Sequence, residues 1–137
     1  MTAKKILIIE DDKDLLRGLN VRLRATGYHT VFATDAISAI SVARKEVPDV
    51  IVLDIGLPCG DGFTVMKRLT SLAPTSATPI VVITGRDPSA YKDQALKAGA
   101  VAFLHKPFDN DELLATIREA LGEPSEKTSP ELRTPNA

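Results

Sequence analysis

The sequence predicts an α/β fold, an open sheet of parallel strands with helices packed on both faces. Three observations carry this expectation. Runs of four apolar, largely β-branched residues recur at 6–9, 50–53 and 80–83. Each is followed by a segment whose apolar residues return every three or four positions. Gly, Pro and Asp mark the boundaries between them. A continuous apolar run suits a strand buried on both faces, as in a parallel sheet. Strands alternating with helices then require right-handed crossovers that cover the sheet.

The elements follow in order. Ile6, Leu7, Ile8 and Ile9 form the first strand, ending at Glu10, Asp11 and Asp12. Leu15, Leu16, Leu19 and Leu23 share a helical face that stops at Gly27. Residues 29–33 are a weaker strand. Asp35 caps a second helix, in which Ile37, Ile40, Ala43 and Val47 are expected on one stripe before Pro48. The third strand runs to Asp54. Phe63, Met66 and Leu69 mark a third helix, and 74–79 is a loop by composition.

The fourth strand ends at Thr84. Asp87 and Pro88 open a fourth helix, expected to reach about Ala98, with Gly99 as its stop and a thin stripe of Tyr91, Ala95 and Ala98. Its polarity leaves much of it facing water or a partner. Residues 101–104 form the last strand. Asp109 with Glu112 makes a capping-box pattern, and Leu113, Ile117 and Leu121 give the fifth helix its apolar face up to Gly122. Residues 123–137 are polar and punctuated by proline, which predicts a disordered tail or a truncated linker beyond a domain spanning 1–122.

Composition excludes several classes of function. The chain has 137 residues, 44% hydrophobic and 26% charged, which suits one soluble globular domain. A formal charge of -1 provides no general attraction to nucleic acid or an anionic membrane. The single cysteine, Cys59, rules out an internal disulfide and reads as an ordinary loop thiol. The first apolar run stops at Glu10, too soon for a signal peptide or a membrane span, so a cytoplasmic location is expected.

Five βα units suit the flavodoxin-like strand order 2-1-3-4-5. That order sets the first and third strands side by side at the switch point, so Glu10, Asp11 and Asp54 share one rim, and Thr84 and Lys106 reach it from the fourth and fifth strands. Clustered carboxylates repel one another and therefore take up protons or bind a cation. An all-oxygen donor set with an incomplete shell suits Mg²⁺, which accepts phosphate oxygens as further ligands. A carboxylate beside such a cation can act as a nucleophile toward phosphorus, with Lys106 as a second charge and Thr84 as a hydrogen-bond donor.

With the acidic pair Glu10 and Asp11, Asp54 followed by Leu57-Pro58 and Asp61-Gly62, Thr84-Gly85, and Lys106-Pro107-Phe108, the chain resembles the response-regulator receiver domain of two-component signalling over about residues 4–122. The resemblance implies that Asp54 accepts a phosphoryl group and that Asp11, Asp54 and the Gly56 carbonyl bind Mg²⁺, with Glu10 helping through water. It implies that Thr84 and Lys106 contact the phosphoryl group, that Lys106-Pro107 is cis, and that Thr84 and Phe103 form the switch. Phe103 also fits plain core. The implied donor is a sensor histidine kinase or phosphotransfer protein.

Output is expected through the fourth helix, last strand and fifth helix, to a downstream protein target or a missing effector domain. The resemblance also leaves room for a phosphorylation-dependent homodimer. Neither nucleic acid nor membrane is an expected partner. The chain is not expected to be an enzyme beyond catalysing its own phosphorylation and dephosphorylation.

Glu10 stands where the family more often has Asp. Gly56 and Arg86 occupy positions that, in the family this chain resembles, influence phosphate lifetime; Gly56 offers no side chain to orient an attacking water and Arg86 could shield the group, so slow self-dephosphorylation is expected. His29 and His105 lack partners at ligand spacing and read as packing or surface residues. Asp12 reads as a helix cap.

Three rivals stand beside this reading. A flavodoxin-like cofactor binder would need a Gly- or Ser/Thr-rich cradle after the first strand, where this chain has three acids. A phosphatase with an aspartyl intermediate would need a second Asp where Gly56 stands. A receiver that works as an interaction module without phosphorylation retains the same fold.

Overall fold

The computed structural model describes residues 3–57 and 61–123, so the expectations for Pro58, Cys59, Gly60 and the tail beyond Glu123 fall outside the described residues. Five strands, β1 (Lys5–Ile9), β2 (His29–Ala33), β3 (Val50–Asp54), β4 (Ile80–Thr84) and β5 (Ala102–His105), alternate with α1 (Lys13–Ala25), α2 (Ala36–Glu46), α3 (Gly62–Ser71), α4 (Pro88–Lys97) and α5 (Asn110–Ala120). All strand pairs are parallel and the order is β2-β1-β3-β4-β5, as expected for the flavodoxin-like class.

Alternate side chains of the inner strands enter two separate apolar layers. Leu7, Ile9, Ile51, Leu53, Ile80 and Val82 meet the buried faces of α2 and α3 and Ala95 of α4. Ile6, Ile8, Val50, Val52, Val81 and Ile83 meet Leu19 and Leu23 of α1 and Leu113, Leu114 and Ile117 of α5. Burying one such aliphatic side chain contributes about 1.5–3 kcal/mol before conformational entropy is counted.

Each helix begins on an aspartate. Asp12, Asp35, Asp61, Asp87 and Asp109 each accept a backbone N–H of the first turn; the sequence predicts four of these caps, and Asp61, part of the Asp61-Gly62 pair, is the fifth. No helix among the described residues is long and apolar enough to cross a membrane.

Several side chains lie elsewhere than expected. On α2 the buried residues are Ala39, Ile40 and Ala43, while Ile37 is 75% exposed and Val47 is half exposed at the helix end. Ala36, Ala39, Ile40 and Ala43 share the face packed on the core at helical spacing, and Ile37 lies roughly a third of a turn round the helix from it. Val47 ends α2 with φ 46, in the left-handed region that disfavours β-branched residues. On α4 only Ala95 is buried, and Ala98 is exposed. On α3 Val65 is buried beside Met66 and Leu69, and Phe63 is half-buried. β5 starts one residue later than expected, leaving Val101 exposed.

Candidate functional site at the carboxyl ends of the strands

Register brings the site residues together. Ile9 lies opposite Leu53, so Glu10 is level with Asp54. Asp54 lies opposite Ile83, and Thr84 opposite His105, so Thr84 and Lys106 follow on the same edge. Glu10 is held there because its N–H continues the β1–β2 ladder to the Ala33 carbonyl at 2.9 Å.

Glu10 is wholly buried, unusual for a carboxylate. Its Oε2 accepts the N–H groups of Asp11 and Asp12 at 2.9 and 3.0 Å. Oε1 receives no other donor and meets Lys106 Nζ at 2.5 Å, a charge contact rather than a well-angled hydrogen bond. Asp54 is 6% exposed; its Oδ1 accepts the Gly56 N–H at 2.8 Å and its Oδ2 accepts from Lys106 Nζ at 3.0 Å. One ammonium thus bridges two buried carboxylates. Asp11 is exposed, and oxygens of Glu10, Asp11 and Asp54 all lie within 4.8 Å of one another.

These environments shift the titrations. Burial raises the Glu10 pKa and Asp54 adds repulsion, only partly opposed by the Lys106 ammonium and the bond from the Asp12 N–H. Desolvation alone would lower the Lys106 pKa, but its bonds to Glu10 and Asp54 outweigh this, and the net shift is upward. The ammonium form is favoured at neutral pH.

Thr84 is buried, its Oγ1 accepting the Arg86 N–H at 3.1 Å and its carbonyl accepting the Lys106 N–H at 2.8 Å. The Lys106-Pro107 bond is cis, as the resemblance implied. Phe103 is half-buried against the α2–α3–α4 layer, next to Thr84's strand. Gly56 lies exposed in the turn after β3.

Three features went unread in the sequence. Gly62 meets the turn after β3 so closely that a Cβ there would lie 2.3 Å from Ile55 Cα, while its own N–H donates to the Ile55 carbonyl at 3.2 Å. Lys106 Nζ also meets Glu10 Oε1, a pairing separate from the water-mediated role toward Mg²⁺ that the resemblance implies for Glu10. The Arg86 guanidinium stands 5.4 Å over the Tyr91 ring, which in turn stacks on Phe63 at 6.4 Å between centroids. Gly62 was the most legible of these, since glycine directly after a capping Asp suggests close approach.

The donors fit a hard cation. Three carboxylates offer oxygens at mutual distances that a single small dication can span, and the cluster carries more negative charge than Lys106 neutralises. His29 and His105 take no part in that cluster.

Comparison with known proteins agrees with this geometry. The family model of the response regulator receiver domain matches residues 6–118. The transcriptional regulatory protein KdpE of Mycobacterium tuberculosis is 38% identical over 116 residues, covering 85% of this chain and 50% of KdpE. The chain therefore spans about half the length of that relative. A response regulator from Chloroflexus aurantiacus superposes with a TM-score of 0.82 at 32% identity, covering 89% of this chain and all of the other. The receiver domain of the sensor histidine kinase PA1611 from Pseudomonas aeruginosa, with a magnesium ion coordinated in its active site cleft, superposes with a TM-score of 0.81 at 26% identity, covering 89% and 100%. By fold, by strand-end chemistry and by sequence, this chain belongs to the response regulator receiver domain family.

Proposed function

We propose that this chain is a phosphorylation-dependent switch in which Asp54 is the phospho-acceptor. Switching by phosphorylation is the general function of the family. The observation that carries the assignment to Asp54 is its carboxylate, almost buried, with one oxygen on Lys106 Nζ and the other on the Gly56 N–H, beside the carboxylates of Glu10 and Asp11.

Asp11, Asp54 and the Gly56 carbonyl would hold Mg²⁺, with Glu10 helping through water, and the ion when bound would supply positive charge to offset that of the phosphoryl oxygens. Lys106 neutralises charge on Asp54 and then on the group it receives. Thr84 gives up its contact with the Arg86 N–H to donate its hydroxyl to a phosphoryl oxygen, and Phe103 moves into the space vacated. The donor is a sensor histidine kinase or phosphotransfer protein. Output passes through the face formed by α4, β5 and α5, either to a downstream protein or to an effector domain, as a monomer or a phosphorylation-dependent homodimer. Chemistry is confined to the chain's own phosphorylation and dephosphorylation. To turn a nearly all-inactive population into a nearly all-active one, phosphorylation must favour the second state by about 5.5 kcal/mol.

Intact-protein mass after incubation with acetyl phosphate, with and without Mg²⁺, tests the proposal. The expected result is a Mg²⁺-dependent gain of one phosphoryl group, abolished in Asp54→Asn and reduced in Lys106→Ala. A gain that persists in Asp54→Asn would move the acceptor elsewhere. No gain, even from a cognate kinase, would favour an interaction module that works without phosphate.

A further inference from the structure

Arg86 is an exposed cation at the mouth of the site, and its guanidinium is not left to solvent. It lies over the Tyr91 ring at 5.4 Å from the centroid, and Tyr91 is itself braced against Phe63, with the two ring planes 22° apart. At the other end the same guanidinium borders the space beside Gly56. A Cβ placed on Gly56 would meet Asp54 Oδ1 at 3.5 Å, Arg86 Nε at 3.6 Å and Arg86 Nη2 at 3.9 Å. The acceptor carboxylate and the guanidinium therefore face one another across the gap that a side chain at this position would fill. No ion pair joins Arg86 to Asp54 among the described residues, whose closest cation is Lys106.

We infer that Tyr91 is a positioning residue that holds the Arg86 guanidinium, by cation–π contact, where it can pair with a phosphoryl group on Asp54. The inference rests on the reading of Asp54 as acceptor. Added oxygens on that carboxylate would project toward the gap beside Gly56, and a guanidinium already held there loses little freedom on pairing with them. A guanidinium resting on a ring can still donate from its edge N–H groups, so ring and phosphoryl group need not compete for it. Arg86 also follows Thr84, whose hydroxyl accepts the Arg86 N–H at 3.1 Å, and Tyr91 sits on α4. Occupancy of the site would accordingly be sensed by α4 through a side-chain contact, in addition to any movement of Thr84.

The test uses the full chain and four variants, Tyr91→Leu, Tyr91→Phe, Arg86→Ala and Tyr91→Leu combined with Arg86→Ala. Each is phosphorylated with acetyl phosphate and Mg²⁺, freed of donor, and followed by intact mass to obtain the phosphoryl lifetime. Tyr91→Leu is expected to shorten the lifetime about three-fold, the scale of a partly exposed cation–π contact. Tyr91→Phe keeps the ring and should retain the wild-type lifetime. Adding Tyr91→Leu to Arg86→Ala should produce no further change, because the ring acts only through the guanidinium.

A second readout needs no phosphate. The Arg86 Nε–H proton of the unmodified protein should carry a ring-current shift that Tyr91→Leu removes and Tyr91→Phe preserves. An unchanged lifetime in Tyr91→Leu, or an equal shortening in the Arg86→Ala background, overturns the inference and leaves Asp54 as acceptor untouched. A ring-current shift absent from the wild type also overturns it. Failure of the wild type to gain a phosphoryl group from acetyl phosphate and from a cognate kinase alike overturns both readings together.

Discussion

Replacing Lys106 by methionine keeps the length of the side chain and removes the ammonium that bridges Glu10 and Asp54. Breaking a fully buried ion pair by deleting one partner costs about 3–5 kcal/mol, and an exposed pair about 0–1. Here Glu10 is wholly buried, while the Lys106 side chain is 23% exposed, so an intermediate loss is expected. The variant can escape a bare buried charge by keeping a proton on Glu10. Keeping that proton near neutral pH, well above the ordinary 4.5, is itself unfavourable, so the escape recovers only part of the loss. The Glu10 pKa is raised in the wild type too, so part of this burden is already present there, and the expected net loss is about 2 kcal/mol, between the exposed and buried limits.

The pH dependence has a defined sign. Between 4.5 and its raised folded value, Glu10 binds more protons in the folded chain than in the unfolded one, so its contribution to stability falls as pH rises. Lys106 opposes that fall, and its removal should widen the gap between variant and wild type from acid toward neutral pH. Urea unfolding followed by circular dichroism, in chelator, at about pH 4.5 and about pH 7 would measure both quantities. A variant as stable as the wild type near neutrality, or a gap that narrows as pH rises, would refute the account of Lys106 as the counter-ion of a buried pair.

Other parts of the chain give independent expectations. Val47→Asn should stabilise by about 1 kcal/mol in the same unfolding assay, because asparagine accepts the left-handed backbone that valine resists, and little apolar burial is lost at this half-exposed site. Gly62→Ala should destabilise by about 3 kcal/mol or more, since its Cβ would collide with the Ile55 backbone rather than with a movable side chain; near-native stability would contradict that approach. Burial and the 2.7 Å bond to Glu123 push the Tyr28 phenol up to about 12, so ultraviolet titration should show one late-titrating tyrosine that moves down in Glu123→Gln. The folded phenol holds its proton longer than the unfolded one, so Tyr28 should reduce stability as pH climbs from 10 toward 12.

The strands and caps were legible because both are short-range signals. Four apolar residues in a row have few alternatives, and Asp before a helical stripe has a direct use in satisfying first-turn N–H groups. Glu10, Asp54, Thr84 and Lys106 could be placed on one rim because each ends a strand or lies just beyond one. Periodicity misplaces Ile37 because α2 carries two overlapping apolar stripes, Ile37/Ile40/Ala43/Val47 and Ala36/Ala39/Ile40/Ala43, and spacing alone does not say which one meets the sheet. The bridging of Glu10 by Lys106 and the seat of Arg86 on Tyr91 depend on side-chain reach across elements distant in sequence. The left-handed Val47 contradicts local preference, so no local rule could anticipate it.

The two apolar layers have a consequence for how the sheet finds its alignment. In a strand with one wet face, a slip by one residue would turn its oily side to water and be rejected. The inner strands here are oily on both sides, so slipping β3 by one position would merely exchange Ile51 and Leu53 with Val50 and Val52 between two dry interiors. Volume mismatches would object only mildly. What objects strongly is the end of the strand: the slip that draws Asp54 inward would carry a carboxylate into hydrocarbon, away from Lys106 and the Gly56 N–H, at several kcal/mol. Glu10 and Thr84 mark the neighbouring strands in the same manner. The polar groups gathered for chemistry thus also serve as alignment marks, and substitutions that neutralise them should be examined for misregistered folding as well as for lost reactivity.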